Sequence, residues 1–447
     1  MKSGGLLLAL ALVCSGAVNG AQEQESAIVI SGDWEITVTA GTLRLPDGDI
    51  RLPDAVALKV APPPVLRLSD TEKLPLWKPD APGWTKGLRL KGVRTFETSA
   101  PDHLVPGSLT VRSTGSGHTV YRRGMDYEVD EQWGTVGRLE GGAIREDSEV
   151  RLDYSVWLDR LDSIVVLSRA GGQPFLRPGE PGVVTVRPPD PGPGEVVLAN
   201  IWVRAGQTRL TDESVFRIIE PAYPEKKHWP PPAQRLLPKT WEKLNTGGSL
   251  KILAWGDSVT AGGEVPEEHL RWQNRFLGLL KQQFPRADIR LETLAWGGRN
   301  TESFLNEPPG SPYNFEEKVL GARPDLIISE FVNDANLTPD QVEERYSYLL
   351  RRFREIGAEW VILTPHFVWH RWMGVASPRV EKDPRPYVAG LRRFAEKNGV
   401  ALADASLRWE HLVKEGIPYE TLLANSLNHP DERGHLMFAL SLMELFQ

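Results

Sequence analysis

Cysteine is nearly absent from this 447-residue chain, in which Cys14 is the only one. It lies in an N-terminal segment with a lysine at position 2, an apolar run over residues 6–13 and small residues up to Ala21. This order is typical of a secretory signal peptide, so we predict that residues 1–21 are removed and that the product is secreted or periplasmic. The mature protein would then lack cysteine, which excludes disulfides, thiolate metal sites and cysteine nucleophiles.

An uncleaved anchor and a lipoprotein are the alternatives for this segment. Lipidation of Cys14 would need a small residue before it, and Val13 stands there instead.

Long apolar runs and excess positive charge are lacking as well. No other stretch approaches the ~18 apolar residues that cross a bilayer, so we expect no membrane span after cleavage. The formal net charge is -7. That balance offers no basic surface, which argues against nucleic acid and against a general preference for anionic membranes. At this length we expect two or more domains.

The first half of the chain lacks helical patterns and alternates polar and apolar residues in short runs. Residues 34–38, 108–112 and 150–156 are examples, each bounded by glycine or proline. Such alternation predicts half-buried antiparallel strands and an all-β, sandwich-like domain over residues 22–222. A break near residues 169–178 would divide it into two subdomains, which the pattern leaves open.

The stretch that follows the β-rich region is rich in proline. We interpret residues 223–248 as a semi-rigid, proline-rich linker, because proline stiffens the chain and donates no backbone hydrogen bond. The second domain is predicted to cover residues 249–447.

Strand-like and helix-like segments alternate in this second domain. The strand-like runs are residues 250–255, 289–295, 326–331, 360–363 and 400–403. The clearest helix begins with a capping box at Thr338 and ends at Gly357, and a second helix ends at Gly399. This alternation predicts an α/β fold with a parallel sheet covered on both faces, whose ligands bind beyond the carboxyl ends of the strands.

Residues suited to acyl transfer follow three of these strands. Ser258 comes directly after the first strand, Gly298 after the second and Asn333 after the third. A hydroxyl there can act as a nucleophile, while a glycine N–H and an amide can stabilise an oxyanion. His429 precedes a C-terminal helix and is a natural general base for a serine.

The blocks around these residues resemble those of the SGNH/GDSL hydrolase family, over roughly residues 250–447. The resemblance implies a three-layer α/β/α, flavodoxin-like fold and no metal or other cofactor. It implies that Ser258 attacks an ester carbonyl and that His429 takes its proton. The N–H groups of Ser258 and Gly298 and the Asn333 amide would hold the oxyanion. The pairing of Gly298 with Arg299 is similar to that in acetylesterases of plant-wall polysaccharides.

Two positions depart from the family pattern. Phe331 stands where a glycine is common, and Ser426 stands where an aspartate usually orients the histidine. Either a Ser–His dyad operates, with Ser426 or a backbone carbonyl orienting the ring, or Asp431 takes the place of the missing acid.

An aromatic segment follows the fourth strand and includes Trp369 and Trp372. These side chains could form a wall for a sugar or could simply be packed. His366 and His370 in the same segment lack further ligands nearby, so we do not predict a metal site.

The leading interpretation is an exported serine esterase that removes acyl groups, in particular acetyl, from carbohydrate. The alternatives are an acyltransferase to sugar hydroxyls and a catalytically inactive carbohydrate- or surface-binding protein.

Overall fold

The structure is a computed structural model that describes residues 27–45, 48–115, 119–168 and 172–447. The predicted signal peptide, residues 1–21, lies outside the described residues. No helix within these ranges is both long and apolar enough to cross a membrane.

The first half of the chain folds into antiparallel sheets. Its strands are β1 (Ile28–Gly32), β2 (Glu35–Val38), β3 (Gly41–Leu43), β4 (Ile50–Leu52), β5 (Val56–Lys59), β6 (Val65–Lys73), β7 (Leu88–Arg89), β8 (Thr110–Ser113), β9 (Tyr127–Asp130), β10 (Thr135–Arg138), β11 (Glu149–Trp157), β12 (Arg160–Leu167), β13 (Phe175–Arg177), β14 (Glu195–Val203) and β15 (Val215–Arg217). The sheet orders are β1-β2-β5, β3-β4, β7-β10-β9, β6-β11-β8 and β13-β12-β14-β15. The predicted all-β region is thereby confirmed.

This β-rich part contains two apolar cores. One is built from β1 to β5 together with β12, β14 and β15, and the other from segments between Leu74 and Val156. The segment that forms the second core is therefore inserted, in the sequence, between the segments that form the first. The predicted break near residues 169–178 does not separate them, because β12 pairs with both β13 and β14 across that stretch.

Strand β12 is buried along nearly its whole length because both of its faces are covered. Ile164 and Val166 pack into the first core of the β-rich part. Leu161 packs with Trp202 and with Val413 from the second half of the chain. The two halves therefore share a packed interface.

The second half contains the predicted parallel sheet. Its strands are β16 (Ser249–Gly256), β17 (Asp288–Ala295), β18 (Leu326–Glu330), β19 (Glu359–Leu363) and β20 (Ala401–Ala403). Its helices are α1 (Pro232–Leu236), α2 (Pro238–Thr246), α3 (Ser258–Ala261), α4 (Trp272–Gln283), α5 (Thr301–Leu305), α6 (Pro339–Glu355), α7 (Pro386–Asn398), α8 (Ala405–Leu412) and α9 (Glu432–Met443). The strand order β17-β16-β18-β19-β20 is that of the flavodoxin-like sheets.

Alternate residues of β16 show why the fold has three layers. Ile252 and Ala254 face one apolar cluster, with α4, α8 and α9, while Leu253 and Trp255 face another, with α6 and α7. Because both faces of the sheet are apolar, helices must cover both. The predicted α/β/α architecture is confirmed.

Helix α6 has the ends that its sequence predicts. The Thr338 side chain accepts a hydrogen bond from the Gln341 N–H at 3.3 Å, and the Gln341 side chain accepts one from the Thr338 N–H at 2.9 Å. Gly357 follows the last turn with φ 76°, a conformation that glycine adopts without strain.

The proline-rich stretch over residues 223–248 differs from a stiff extended linker, because α1 and α2 lie within it. Pro232 and Pro238 stand at the first helical positions, where the missing N–H costs no hydrogen bond. Leu237 and Leu244 are buried against the C-terminal core.

Candidate active site

Strand β16 delivers Ser258 to the carboxyl edge of the sheet through a tight turn. A Cβ at Gly256 would lie 2.1 Å from Thr260 Oγ1 and 2.5 Å from the Glu330 carbonyl oxygen, so only glycine fits. Asp257 is fully buried and its two carboxylate oxygens accept from the N–H groups of Val259, at 3.1 Å, and Asn333, at 2.9 Å. It therefore ties the end of β16 to the segment after β18.

The histidine predicted as the base lies against the predicted nucleophile. Nε2 of His429 is 2.8 Å from Oγ of Ser258, and the His429 residue is 4% exposed. The Asn425 side-chain oxygen accepts from the N–H groups of Leu427, Asn428 and His429 at 2.9 to 3.0 Å. One buried amide thus fixes the loop that carries the imidazole.

The two further residues predicted as oxyanion donors lie on neighbouring loops at this edge. Gly298 has φ 70°, which favours glycine at that position. The Asn333 side chain donates a hydrogen bond to the Arg299 carbonyl oxygen at 3.2 Å, which links the loops after β17 and β18. A Cβ at Gly297 would lie 3.8 Å from Ser258 Cβ, so the loop after β17 passes beside the serine.

Of the two residues predicted to orient His429, Asp431 is hydrogen-bonded elsewhere and Ser426 lines a cavity. Asp431 caps α9 by accepting from the Arg433 N–H at 2.9 Å, and it also binds the Arg433 guanidinium at 2.7 Å. Ser426 has φ 61° and lines a cavity of about 370 Å³ between the two halves of the chain. In the described part of the chain, neither side chain is hydrogen-bonded to His429. Their predicted role therefore has no support in the geometry.

A carboxylate that the sequence analysis does not identify lies beside the His429 ring. Oε2 of Glu97, in the β-rich part, is 3.0 Å from Nδ1 of His429, although the ring N–H is not aimed closely enough to count as a hydrogen bond. Contact with the imidazole lowers the pKa of Glu97 and outweighs the opposing effect of burial. Glu97 lies outside every predicted motif, and no local spacing could have identified it.

A second glutamate completes a small acidic cluster. The Glu264 side chain accepts a hydrogen bond from the Glu97 N–H at 3.3 Å, and burial raises the pKa of Glu264. Ligand atoms of Glu97, Glu264 and His429 lie within 4.8 Å of one another, a separation that a cation could bridge. A cation there would compete with the contact between Glu97 and His429.

Two more carboxyl groups are fully buried at the ends of β16 and β18. Burial raises the pKa of Asp257 to about 7. Burial and then the negative charge of Asp257 raise the pKa of Glu330 well above its ordinary value. Oε2 of Glu330 accepts from Thr260 Oγ1 at 3.2 Å, whereas Oε1 has no partner among the described residues.

The remaining histidines near the site are structural in their contacts. His366 bonds through Nε2 to the Asn428 carbonyl oxygen at 2.9 Å, and His370 bonds through Nδ1 to Glu420 at 2.6 Å. The bonded nitrogens of these two histidines therefore have different partners and do not share one. Nδ1 of His435 accepts from the Trp272 N–H at 3.1 Å, and burial lowers its pKa to about 3.

The predicted aromatic wall divides into a buried and an exposed member. Trp369 is 9% exposed and packs edge-on against Trp133 of the β-rich part, at 5.9 Å between ring centroids. Trp133 also contacts Trp84, and Trp84 lies 6.2 Å from Trp372. Trp369 therefore packs in the interface between the halves, whereas Trp372 is 48% exposed to solvent.

Residues 254–437 match the model of the GDSL-like Lipase/Acylhydrolase family. This match confirms the resemblance noted in the sequence and makes this part of the chain a carboxylic ester hydrolase domain of the GDSL type.

Several solved structures are similar to parts of this chain. A two-domain esterase active on acetylated mannans has 17% identity over 47% of this chain and 52% of its own, with a TM-score of 0.39. An acetylxylan esterase from Geobacillus stearothermophilus has 18% identity over 44% of this chain and 94% of its own, with a TM-score of 0.35. An acetyl xylan esterase has 19% identity over 43% of this chain and 98% of its own, with a TM-score of 0.35. The chain spans about half the length of the two-domain esterase. No curated protein matches it.

Proposed function

We propose that this chain, whose residues 254–437 match the GDSL-like lipase/acylhydrolase family, is an exported serine esterase that removes acetyl groups from carbohydrate. The observation that carries the proposal is the 2.8 Å contact between Ser258 Oγ and His429 Nε2 at the carboxyl edge of the sheet. A serine becomes a useful nucleophile when a neighbouring base accepts its proton, and the imidazole is in place to do so.

The reaction proceeds through an acyl-enzyme. His429 takes the hydroxyl proton as Ser258 Oγ attacks the ester carbonyl carbon, and the carbonyl oxygen becomes an oxyanion. The intermediate collapses, the C–O bond to the sugar breaks, and the imidazolium returns the proton to the leaving sugar oxygen. Water then attacks the acyl carbon as His429 takes a proton from it, the bond to Ser258 Oγ breaks, and the imidazolium returns the proton to Oγ as acetate leaves.

The oxyanion donors are the N–H groups of Ser258 and Gly298 and the side-chain amide of Asn333. The contact of Asn333 with the Arg299 carbonyl oxygen is compatible with this role, because the amide nitrogen carries two hydrogens. One hydrogen orients the amide on the loop, and the second remains for the oxyanion.

Carbohydrate as the alcohol part is supported by exposed aromatic side chains around this edge. Phe96, next to Glu97, is 75% exposed, and Trp372 is 48% exposed. Flat apolar faces held open to solvent are suited to the apolar face of a sugar ring. Similar structures named above act on acetylated mannan and xylan, which are therefore the first polymers to test.

The test is acetate release by the full-length mature protein from acetylated mannan, acetylated xylan and a chromogenic acetyl ester. We expect Ser258→Ala to abolish release from all three, while Ser148→Ala, a control serine in the β-rich part, leaves it unchanged. A fluorophosphonate probe should label the wild type and Ser148→Ala but not Ser258→Ala. Absence of both labelling and hydrolysis in the wild type would contradict the proposal and favour an inactive binding protein.

A further inference from the structure

We propose that Glu97, contributed by the β-rich part of the chain, is the carboxylate that positions His429, so that the catalytic triad spans the two halves of the molecule. The inference rests on the proposed function, because it assigns a partner to the base of that reaction. It also gives the β-rich part a direct role in the chemistry.

The first support is the placement of the two imidazole nitrogens. Nε2 of His429 faces Ser258 Oγ at 2.8 Å, and Nδ1 faces Glu97 Oε2 at 3.0 Å. This is the order of contacts in a nucleophile, base and acid triad. Among the described residues, Glu97 is the only acid within ion-pair distance of this ring.

The second support is the construction of the turn that carries Glu97. The Thr95 N–H donates to the Thr98 carbonyl oxygen at 3.0 Å, and their hydroxyl oxygens lie 3.0 Å apart. The Arg89 guanidinium donates to the same Thr98 carbonyl oxygen at 2.8 Å. The backbone on both sides of Glu97 is thereby fixed within the β-rich part.

The third support is that this turn is joined to the loop of the base. The Thr98 hydroxyl, buried beside Glu97, donates to the Asn425 carbonyl oxygen at 2.6 Å. The side chain of the same Asn425 accepts from the His429 N–H at 2.9 Å. Carboxylate and imidazole are therefore held on one frame, although they lie far apart in the sequence.

The chemistry of this placement follows from the proton positions. An ionised Glu97 favours the tautomer with the proton on Nδ1, which leaves Nε2 free to accept the proton of Ser258. It then stabilises the imidazolium without taking a proton itself. The N–H in this structure is not aligned with the carboxylate, and such contacts tighten when charge develops on the ring.

The Glu97 side chain is 42% exposed, which sets the expected size of its effect. Solvent screens a charge at such a position, so removal of the carboxylate should cost less than removal of a buried triad acid. The same exposure leaves room for a small carboxylate to enter when the side chain is truncated.

The experiment compares Glu97→Gln with wild type in the full chain, using the chromogenic acetyl ester across pH. We expect kcat to fall roughly 10- to 100-fold, with KM changed less than about twofold, because the carboxylate acts on the base and not on the substrate. The acidic limb of kcat/KM should move to lower pH, because the imidazolium loses its counter-charge. Glu72→Gln, which removes a partner of Lys91 elsewhere in the β-rich part, should leave both unchanged.

A second variant separates positioning from folding. In Glu97→Ala, added formate should restore part of kcat in a saturable manner, and it should restore nothing in Ser258→Ala. Unchanged kcat and an unchanged acidic limb in Glu97→Gln, with wild-type hydrolysis dependent on Ser258, would overturn the role of Glu97 alone. If the wild type does not turn over, the NMR resonance of the His429 Nδ1 proton still tests the contact between Glu97 and His429. It should be downfield in the wild type and shifted upfield in Glu97→Gln, and equal spectra would reject the contact.

Discussion

Glu330 is a buried carboxyl group that contributes no hydrogen bond through one of its oxygens. Oε1 has no partner among the described residues, while Asp257, at the end of the adjacent strand, uses both of its oxygens. The two carboxyl groups therefore differ in how well each tolerates substitution. Asp257 holds the turn of Ser258, whereas Glu330 accepts a single hydrogen bond, from the Thr260 hydroxyl.

The raised pKa of Glu330 predicts the direction in which stability changes with pH. Because its folded-state pKa is raised above the unfolded value, the folded state binds the proton more tightly, and stability falls as pH rises from about 4. Glu330→Gln removes this loss and keeps an oxygen to accept from Thr260. We therefore expect the variant to gain stability relative to wild type as pH rises, so that the difference in unfolding free energy, variant minus wild type, is larger at pH 8 than at pH 5.

Urea denaturation of both proteins at the two pH values measures this difference. Glu396→Gln, on the exposed face of α7, is the matched control and should show no such dependence. An equal difference between variant and wild type at both pH values would mean that Glu330 does not titrate with a raised pKa.

The elements around the site differ in how far the sequence predicts them. Ser258, Gly298 and Asn333 follow strands whose apolar runs are local and regular, so their common edge could be predicted. The helices within residues 223–248 were missed because proline at a first helical position looks the same as proline in a stiff linker. The packing of Trp369 depends on Trp133, which no local pattern relates to it.

Glu97 could not be predicted for the same physical reason. Its neighbours in sequence form a turn of the β-rich part, and tertiary contacts such as those of Thr98 with Asn425 and of Glu97 with Glu264 bring it to its partner His429. The family resemblance covers only residues 250–447 and so excludes this turn, and it directs attention to Ser426 and Asp431 instead. The acid of the site belongs to the interface of the two halves.

This interface contact gives an element-scale prediction. Thr98→Val removes the hydroxyl that donates to Asn425, and kcat should fall roughly fivefold, equivalent to about 1 kcal/mol. If the contact acts through Glu97, the same substitution in a Glu97→Gln background should change kcat little. Steady-state kinetics of the four proteins form a double-mutant cycle, and additive losses would show that Thr98 acts independently of Glu97.

At the scale of the whole molecule, the two halves are joined by contacts along their length. The Asn200 side chain donates to the Gly416 carbonyl oxygen at 2.8 Å, and Arg379 donates to the Val215 carbonyl oxygen at 3.0 Å. Trp133 packs on Trp369. Because buried polar and aromatic groups at this interface would be exposed by separation, we expect the halves to unfold together.

Truncation of the central aromatic contact tests this coupling. Trp133 is 8% exposed, and Trp133→Ala should cost about 3–5 kcal/mol, as for other buried large aromatic side chains. Calorimetry should then resolve two transitions where the wild type shows one. Trp229→Ala, at a side chain 93% exposed, should leave a single transition at the wild-type temperature. Because Glu97 reaches His429 only across this interface, Trp133→Ala should also lower kcat well below the unfolding temperature. Full activity in a variant whose halves unfold separately would mean that the site does not depend on their contact.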